Sequence, residues 1–175
     1  MDSCSQSSQS QTHIAEIRQL AERDIPSWHC CLDVVARERR YLSLLAAPPL
    51  EQSQAWVAPH IQQNHPFFVA VIDSTVVGWC DITPQEREWF AHRGTLGMGV
   101  HPEFRHRGIG TSLIGATLAH AKKIGLERVE LDVFASNPVA KQLYEKMGFV
   151  VEGTQRRARQ VDGEYDDIVV MALFL

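Results

Sequence analysis

The residues best suited to chemistry form one short run rich in arginine and glycine, Arg105-His106-Arg107-Gly108-Ile109-Gly110. Its glycines allow a sharp turn and let a ligand approach the backbone closely. The residues after the run predict a helix from about Thr111, and the start of a helix offers unpaired N–H groups and a partial positive charge. With two arginines beside that helix start, the run predicts an anion site suited to a pyrophosphate.

Other interpretations of this run stay open at the level of its residues. A plain surface loop would also use glycines to turn and would point its arginines into water. The run lacks the Gly-Lys-Ser/Thr ending of a P-loop, and Leu113 stands where the dinucleotide motif would have its third glycine. His101, before the run, and His106, within it, could assist phosphate binding, although exposure to solvent is the simpler interpretation.

The elements on either side of the run must hold it in place. Before it, Thr95 to Val100 predict a strand containing Gly97 and Gly99, which cost stability there and indicate a bulge or a close approach to the backbone. Two small residues that make room for a packed helix would give the same pattern. After the run, the apolar residues from Thr111 to Ile124 fall on one face of a helix.

The rest of the chain alternates between strand and helix patterns. Before the run, it predicts a strand from His13 to Leu20 and helices from Asp24 to Leu45 and from Leu50 to Gln63. A hairpin of Phe67 to Ile72 with Val76 to Ile82 and a connection from Thr83 to Arg93 follow. After the run and its helix, it predicts a strand from Arg128 to Val133, a helix opened by Asn137-Pro138 and ended by Gly148, and strands that begin at Phe149 and Ile168. This order predicts a mixed sheet covered by helices, of the α+β or α/β class.

The overall composition indicates one globular unit. The chain has 175 residues, of which 45% are hydrophobic, enough for one core. Residues 1–11 are rich in Ser and Gln and predict a disordered tail, which leaves residues 12–175 as the domain. The net charge of −4 argues against a nucleic-acid partner bound by bulk charge. No apolar run approaches the ~18 residues of a membrane span, and no signal peptide is evident.

The cysteines and histidines predict neither a disulfide framework nor a metal site. The four cysteines form no CxxC pair, and we expect reduced thiols in a cytoplasmic protein. His29 precedes Cys30 and Cys31, but ligands adjacent in sequence rarely converge on one ion.

Two segments together resemble a known family. Val100-His101-Pro102-x-x-Arg105-x-x-Gly108-x-Gly110 resembles motif A of the GCN5-related N-acetyltransferase superfamily. Asn137-Pro138-x-Ala140-x-x-Leu143-Tyr144-x-Lys146-x-Gly148-Phe149 resembles its motif B, in the right order and separated by one helix and one strand. The resemblance covers roughly residues 13–175. It implies a central mixed, mostly antiparallel sheet that splays apart between two parallel strands, with helices on both faces.

The resemblance also implies a cofactor and a site. Acetyl-coenzyme A would lie in the gap between the splayed strands, with its pantetheine arm along the strand that ends at Val100. The implied contacts are Met98, Gly99, Val100, Arg105, His106, Arg107, Gly108, Ile109, Gly110, Thr111, Asn137 and Ala140. Asn137 would cap a helix as well as contact the cofactor, because the cap uses only its side-chain oxygen.

Tyr144 matches the family's general acid. Transfer of the acetyl group expels a thiolate, and a phenol with a pKa of about 10 can protonate it. Spacing alone favours a core aromatic, on one helix face with Leu143 and Met147, and the motif B resemblance favours the general acid instead.

The residues leave the general base open. Many family members carry a Glu on the strand that here spans residues 95–100, and this strand has no acid. The candidates are Asp81, Glu86, Glu88, His92 or a water molecule. An α-amino group with a pKa of about 7.7–8.0 needs only ~1 kcal/mol of help at pH 7, whereas a lysine amine near 10.4 needs ~4–5 kcal/mol. The lack of a strong base therefore favours an α-amino acceptor.

The acceptor is predicted from resemblance in the C-terminal stretch. Val151-Glu152-Gly153-Thr154, Asp162-Gly163-Glu164-Tyr165 and Met171 resemble the branch that contains bacterial L-amino-acid N-acetyltransferases, with phosphinothricin acetyltransferases as a neighbouring branch. This implies transfer to the primary amine of a small molecule, a free amino acid, and a homodimer. A protein N-terminal acetyltransferase and a non-catalytic acyl-coenzyme A sensor are the alternatives. An acceptor pocket or the core would explain the aromatic residues Trp28, Tyr41, Trp56, Trp89 and Phe90 equally well.

Overall fold

The computed structural model describes residues 14–175, so the predicted tail over residues 1–11 lies outside the described residues. The strands are β1 (Glu16–Gln19), β2 (Phe67–Ile72), β3 (Thr75–Pro84), β4 (Arg93–Val100), β5 (Arg128–Phe134), β6 (Val150–Val161) and β7 (Glu164–Phe174). The α-helices are α1 (Ile25–Arg37), α2 (Leu50–Gln62), α3 (Ile109–Lys123) and α4 (Pro138–Lys146). The predicted order of elements is confirmed.

The strands form one seven-stranded sheet in the order β1-β2-β3-β4-β5-β7-β6. Among the described strands, β4 and β5 make the parallel pair and the other neighbours are antiparallel. The β4–β5 pairing spans only Arg93–Thr95 against Arg128–Glu130, although β4 continues to Val100 and β5 to Phe134. The two strands therefore part after three residue pairs, which confirms the predicted splay.

Two hydrophobic cores lie on opposite faces of this sheet. Successive residues of a strand point to opposite faces, and on β2 Val69 belongs to one core while Ala70 belongs to the other. One core contains Leu113 of α3 and Tyr144 of α4, and the other contains Trp28 of α1 and Val57 of α2. The predicted placement of helices on both faces is confirmed.

The prediction of one helix from Asp24 to Leu45 is wrong at its C-terminal end, because α1 ends at Arg37. Arg39 adopts a left-handed conformation (φ 56°), which a continuing helix cannot contain. Its guanidinium bonds Asp162 at 2.6 Å, and its carbonyl oxygen accepts a 2.5 Å hydrogen bond from Arg159. Tertiary contacts to the β6–β7 hairpin thus turn the chain away. Other predicted boundaries lie within four residues of the observed ones.

The glycines of β4 are explained by side chains from β3. In the β3–β4 register, Trp79 pairs with Gly99 and Asp81 with Gly97. A Cβ at position 99 would lie 2.3 Å from the Trp79 ring, and one at position 97 would lie 3.3 Å from Asp81 Oδ1. The close approach that these glycines predict is therefore made by two neighbouring side chains on the α1 and α2 face.

We expect Gly99→Ala to destabilise the fold by about 1–3 kcal/mol, because the added methyl group would displace the buried Trp79 ring. Urea unfolding measures the change. Gly115→Ala in α3 is the matched control, since its Cβ would meet nothing within 4 Å, and it should stabilise by about 0.5–1 kcal/mol. Equal effects of the two substitutions would contradict the packing explanation.

Candidate active site

The predicted anion loop connects β4 to α3. After a 3₁₀ turn at Pro102–Phe104, His106 and Gly108 both adopt left-handed conformations, with φ of 60° and 78°. The helix begins at Ile109, two residues before the predicted start, and no side chain caps its first N–H groups. The backbone of the loop therefore presents free donors at the positive end of α3, as an anion site requires.

Arg105 is paired with a carboxylate within the chain. Its Nε donates to the Val100 carbonyl at 2.9 Å, and its guanidinium forms a two-pronged ion pair with Glu38, just beyond α1. The ring of Tyr41 lies under the guanidinium at 4.7 Å. Arg105 thus ties the end of β4 to the α1–α2 connection, a role that the spacing of the motif did not predict.

Arg107 and His106 lie on the exposed side of the loop. Arg107 Nη2 donates to the Glu103 carbonyl at 2.9 Å, and its guanidinium lies 5.1 Å from the ring of Phe104. Neither contact neutralises the charge of Arg107. Of the two arginines predicted for the anion site, Arg107 is the one that is not paired with a carboxylate.

Gly110 brings the two motif segments into contact. A Cβ on Gly110 would lie 3.1 Å from Leu143 of α4 and 3.5 Å from Met98 of β4. The glycine therefore allows α3 to approach α4 and the splayed part of β4 together. Ile109 beside it is buried in the same core. Met98, Gly110 and Leu143 therefore lie together where β4, α3 and α4 meet.

Asn137 begins α4 in the predicted way. Its Oδ1 accepts a hydrogen bond of 3.2 Å from the Ala140 N–H, which confirms the cap. Its own N–H bonds the Phe134 carbonyl at the end of β5 at 2.9 Å, so the start of α4 is fixed to the strand that splays from β4.

Tyr144 is buried on the side of α4 that faces the sheet. It packs edge-on against Phe149, with ring centroids 5.9 Å apart. Burial raises the pKa of the phenol well above its ordinary value, and the nearby Cys80 thiol adds to that rise. The phenol therefore stays protonated at neutral pH, the form needed by a proton donor. Both interpretations of Tyr144 made from the sequence, core aromatic and proton donor, are compatible with this position.

Asp81 differs from the other base candidates by its position. Glu86, Glu88 and His92 are exposed in the β3–β4 connection. Asp81 is buried on β3 over Gly97, where the Trp79 side chain and its own N–H donate hydrogen bonds to the carboxylate. Burial raises the pKa of Asp81 to about 7, more than these hydrogen bonds lower it.

The aromatic residues divide between core and surface. Trp28 is 2% exposed and packs edge-on against Trp79 at 6.4 Å, so it belongs to the core. Trp56 stacks on Trp28 at 6.0 Å and covers it from outside. Tyr41 lies under Arg105, and Trp89 is 87% exposed. These residues do not form one shared pocket.

Other features lie apart from this site. Two surface cavities lie beside β1 and beside His60, away from the predicted residues. Within residues 14–175, no three side chains with metal-binding groups come together, and no helix has both the length and the apolar character needed to cross a membrane. The thiols of Cys30, Cys31 and Cys80 are free.

A family profile matches most of this chain. The Acetyltransferase (GNAT) family matches residues 26–149, more than half of the chain. The chain belongs to this acetyltransferase family.

Named relatives in sequence cover part of the chain. It is 34% identical over 105 residues to the L-amino acid N-acetyltransferase AaaT of Escherichia coli, a match covering 59% of this chain and 65% of that protein. It is 35% identical over 117 residues to an N-alpha-acetyltransferase of Sulfurisphaera tokodaii, covering 61% of this chain and 67% of that protein. A match to an uncharacterized N-acetyltransferase of Methanocaldococcus jannaschii spans 45% of that relative.

Solved structures share the fold. A ribosomal-protein-alanine N-acetyltransferase from Brucella melitensis superposes with a TM-score of 0.85 at 24% identity, over 91% of this chain and 99% of that one. A phosphinothricin acetyltransferase from Sinorhizobium meliloti, in complex with AcCoA, gives 0.86 at 17% identity, over 93% and 89% of the two chains. The predicted fold is confirmed.

The buried Asp81 predicts how stability depends on pH. Its pKa of about 7 in the folded chain exceeds its ordinary value of 3.8, so the folded chain keeps a proton that the unfolded chain has released between those values. The free energy of unfolding should therefore fall by roughly 1.4 kcal/mol per pH unit across that window. Asp81→Asn should remove this loss.

Urea unfolding of both proteins from pH 4 to pH 8 measures the effect as the difference between wild type and variant. The difference is needed because burial lowers the pKa of His60 to about 4, which gives stability the opposite trend in the same range. A difference that does not change with pH would show that Asp81 titrates normally.

Proposed function

We propose that the chain is an acetyl-coenzyme A-dependent N-acetyltransferase that acts on the primary amine of a small molecule. The observation that carries this proposal is the convergence at the strand split. β4 and β5 part after Thr95, and Gly110 brings the uncapped start of α3 against Met98 and against α4, which carries Tyr144. Family membership gives this arrangement its chemistry.

The cofactor assignment rests on the free backbone donors and the unpaired strand edge. The N–H groups of Ile109, Gly110 and Thr111 at the start of α3 would hold the pyrophosphate, with Gly108 forming the turn and His106 and Arg107 adding donors.

The pantetheine arm would extend along Met98, Gly99 and Val100, where the edge of β4 that faces β5 pairs with no described strand. Asn137 and Ala140 at the start of α4 would line its other side. Arg105 would act indirectly, by holding the end of β4 against Glu38.

Tyr144 would supply the proton that the leaving thiolate needs. The amine attacks the acetyl carbonyl, a C–N bond forms, and the C–S bond breaks. The phenol, kept neutral by its burial, protonates the sulfur. The proton that then leaves the amide nitrogen restores the phenol, so Tyr144 ends the cycle as it began.

An α-amino group is the acceptor we propose, on a free amino acid. The E. coli relative is named an L-amino acid N-acetyltransferase, and an α-amino group is easier to deprotonate than a lysine side-chain amine. The second candidate is a protein N-terminus, favoured by the name of the S. tokodaii relative. Both candidates share the α-amino group and differ in whether its carboxyl side is a free carboxylate or a peptide chain.

A thiol-release assay with acetyl-coenzyme A and matched acceptors tests the proposal. We expect turnover with free amino acids that exceeds turnover with polyamines and with peptides bearing the same N-terminal residue. Activity confined to peptides would reject the free amino acid in favour of the protein N-terminus. Coenzyme A binding without turnover on any amine would favour a sensor over an enzyme.

We expect Tyr144→Phe to lower kcat by about 100-fold, since it removes the proton donor and keeps the ring that packs on Phe149. Acetyl-coenzyme A affinity, measured by calorimetry, should stay within a few-fold. Tyr165→Phe, which alters an exposed tyrosine on β7, is the control and should leave both quantities unchanged. Full turnover in Tyr144→Phe would limit this residue to packing.

A further inference from the structure

Among residues 14–175, two carboxyl groups are buried, and they differ in their partners. Asp24 is ion-paired with Arg18 at 2.5 Å. Asp81 receives hydrogen bonds from the Trp79 side chain and from its own N–H, and no described cation pairs with it. A buried carboxyl group without a cation is costly, and such groups concentrate at functional sites.

Asp81 lies beside the strand split. It pairs with Gly97, two residues past Thr95, where β4 and β5 stop pairing. Its Oδ1 would lie 3.3 Å from a Cβ on Gly97, so the carboxyl group occupies the space that a side chain on β4 would fill. Its partner on the other neighbouring strand is Phe67, which brings no charge. The carboxyl group thus lies over the β4 backbone, two residues past the point where β4 and β5 stop pairing.

Asp81 and Tyr144 approach the split from opposite faces of the sheet. Cys80 lies in the same core as Tyr144, and its thiol adds to the rise in the pKa of the phenol, so these two groups are close. Asp81 comes directly after Cys80 and therefore points to the other face, which it shares with Trp79. A proton donor on one face and a carboxylate on the other would flank any group held in the split.

We infer that Asp81 is the general base that deprotonates the acceptor amine. This inference rests on the proposed function. The ammonium group R–NH₃⁺ gives one proton to the Asp81 carboxylate, and the nitrogen lone pair then attacks the acetyl carbon. As the C–S bond breaks, the thiolate takes a proton from Tyr144, and the second nitrogen proton returns to Tyr144. The proton on Asp81 passes to solvent, which balances the reaction.

The chemistry of Asp81 suits this role. Its pKa of about 7 is much closer to the pKa of an amine than the ordinary 3.8 of this carboxyl group, so proton transfer from an ammonium group to Asp81 is less unfavourable. Cys80 adjoins Asp81 on β3, and Tyr144 packs in the core with Cys80. On the α1 and α2 face, His60 packs against Phe67, the strand partner of Asp81. Cys80 and Tyr144 are both buried. Burial raises the pKa of both well above neutral, so neither changes charge in this range.

Asp81→Asn tests the inference through the pH profile. In wild type, kcat/KM for an amino acid should rise with pH and level off near pH 7. The kcat/KM of the variant should be about 100-fold lower at neutral pH, and it should no longer rise with pH to a plateau near pH 7. With trifluoroethylamine, which is already neutral at pH 7, the variant should stay within a few-fold of wild type. Asp24→Asn, which alters the other buried carboxyl group, is the control and should keep the wild-type profile.

An exchange across the strands provides a rescue. Asp81→Gly combined with Gly97→Asp moves the carboxyl group to β4 while keeping it in the same space. We expect the kcat/KM of the double variant to exceed that of Asp81→Gly by at least ten-fold and to rise again with pH to a plateau near pH 7. Circular dichroism verifies that each variant is folded.

The outcomes separate the two proposals. Wild type without turnover on any amine would overturn the proposed function. Active wild type, with Asp81→Asn retaining both the rate and the rise of kcat/KM with pH, would overturn the role of Asp81 alone. An equal loss with the amino acid and with trifluoroethylamine would also overturn it, because a structural defect would not depend on the protonation of the acceptor.

Discussion

The rest of the structure depends on how briefly β4 and β5 pair. Parallel strands that stay in register bury their edges in continuous hydrogen bonds, and here that pairing covers three residue pairs. Beyond Thr95 the two strands no longer pair and lead to different elements. β4 leads into the loop before α3, and β5 leads through Phe134 into the cap of α4. Every residue proposed for the site lies on, or next to, one of these diverging arms.

Local sequence signals were sufficient for most of the fold. Alternating apolar residues predicted the strands, and Asn137-Pro138 with Gly148 marked both ends of α4. Asp162-Gly163 is a pair typical of a hairpin turn, and both residues have positive φ between β6 and β7. Local sequence signals failed to place the end of α1, because contacts with distant residues override the local preference for a helix there. The residues after Arg37 are compatible with a helix, and the turn there depends on partners more than a hundred positions away.

The site was predictable as a set of positions and not as a set of roles. Arg105 stands in a motif suited to anions, yet its ion pair with Glu38 joins residues 67 positions apart, which no local pattern reveals. Gly97 and Gly99 did indicate that something approaches the strand closely. Only the register of β3 identifies those groups as Asp81 and Trp79. Burial, which separates Asp81 from the three exposed candidates, also depends on that register.

The α1–α2 connection is tied both to the loop after β4 and to the β6–β7 hairpin. Glu38 binds Arg105 beyond β4, while Arg39 is bound by Asp162 and Arg159 of the β6–β7 hairpin. The segment therefore links the loop after β4 to the hairpin whose strand β7 pairs with β5. Transplanting it from a relative to alter acceptor preference would require moving its distant counter-charges too. A graft without them would lose the link between the loop after β4 and the β6–β7 hairpin before it changed any contact with the acceptor.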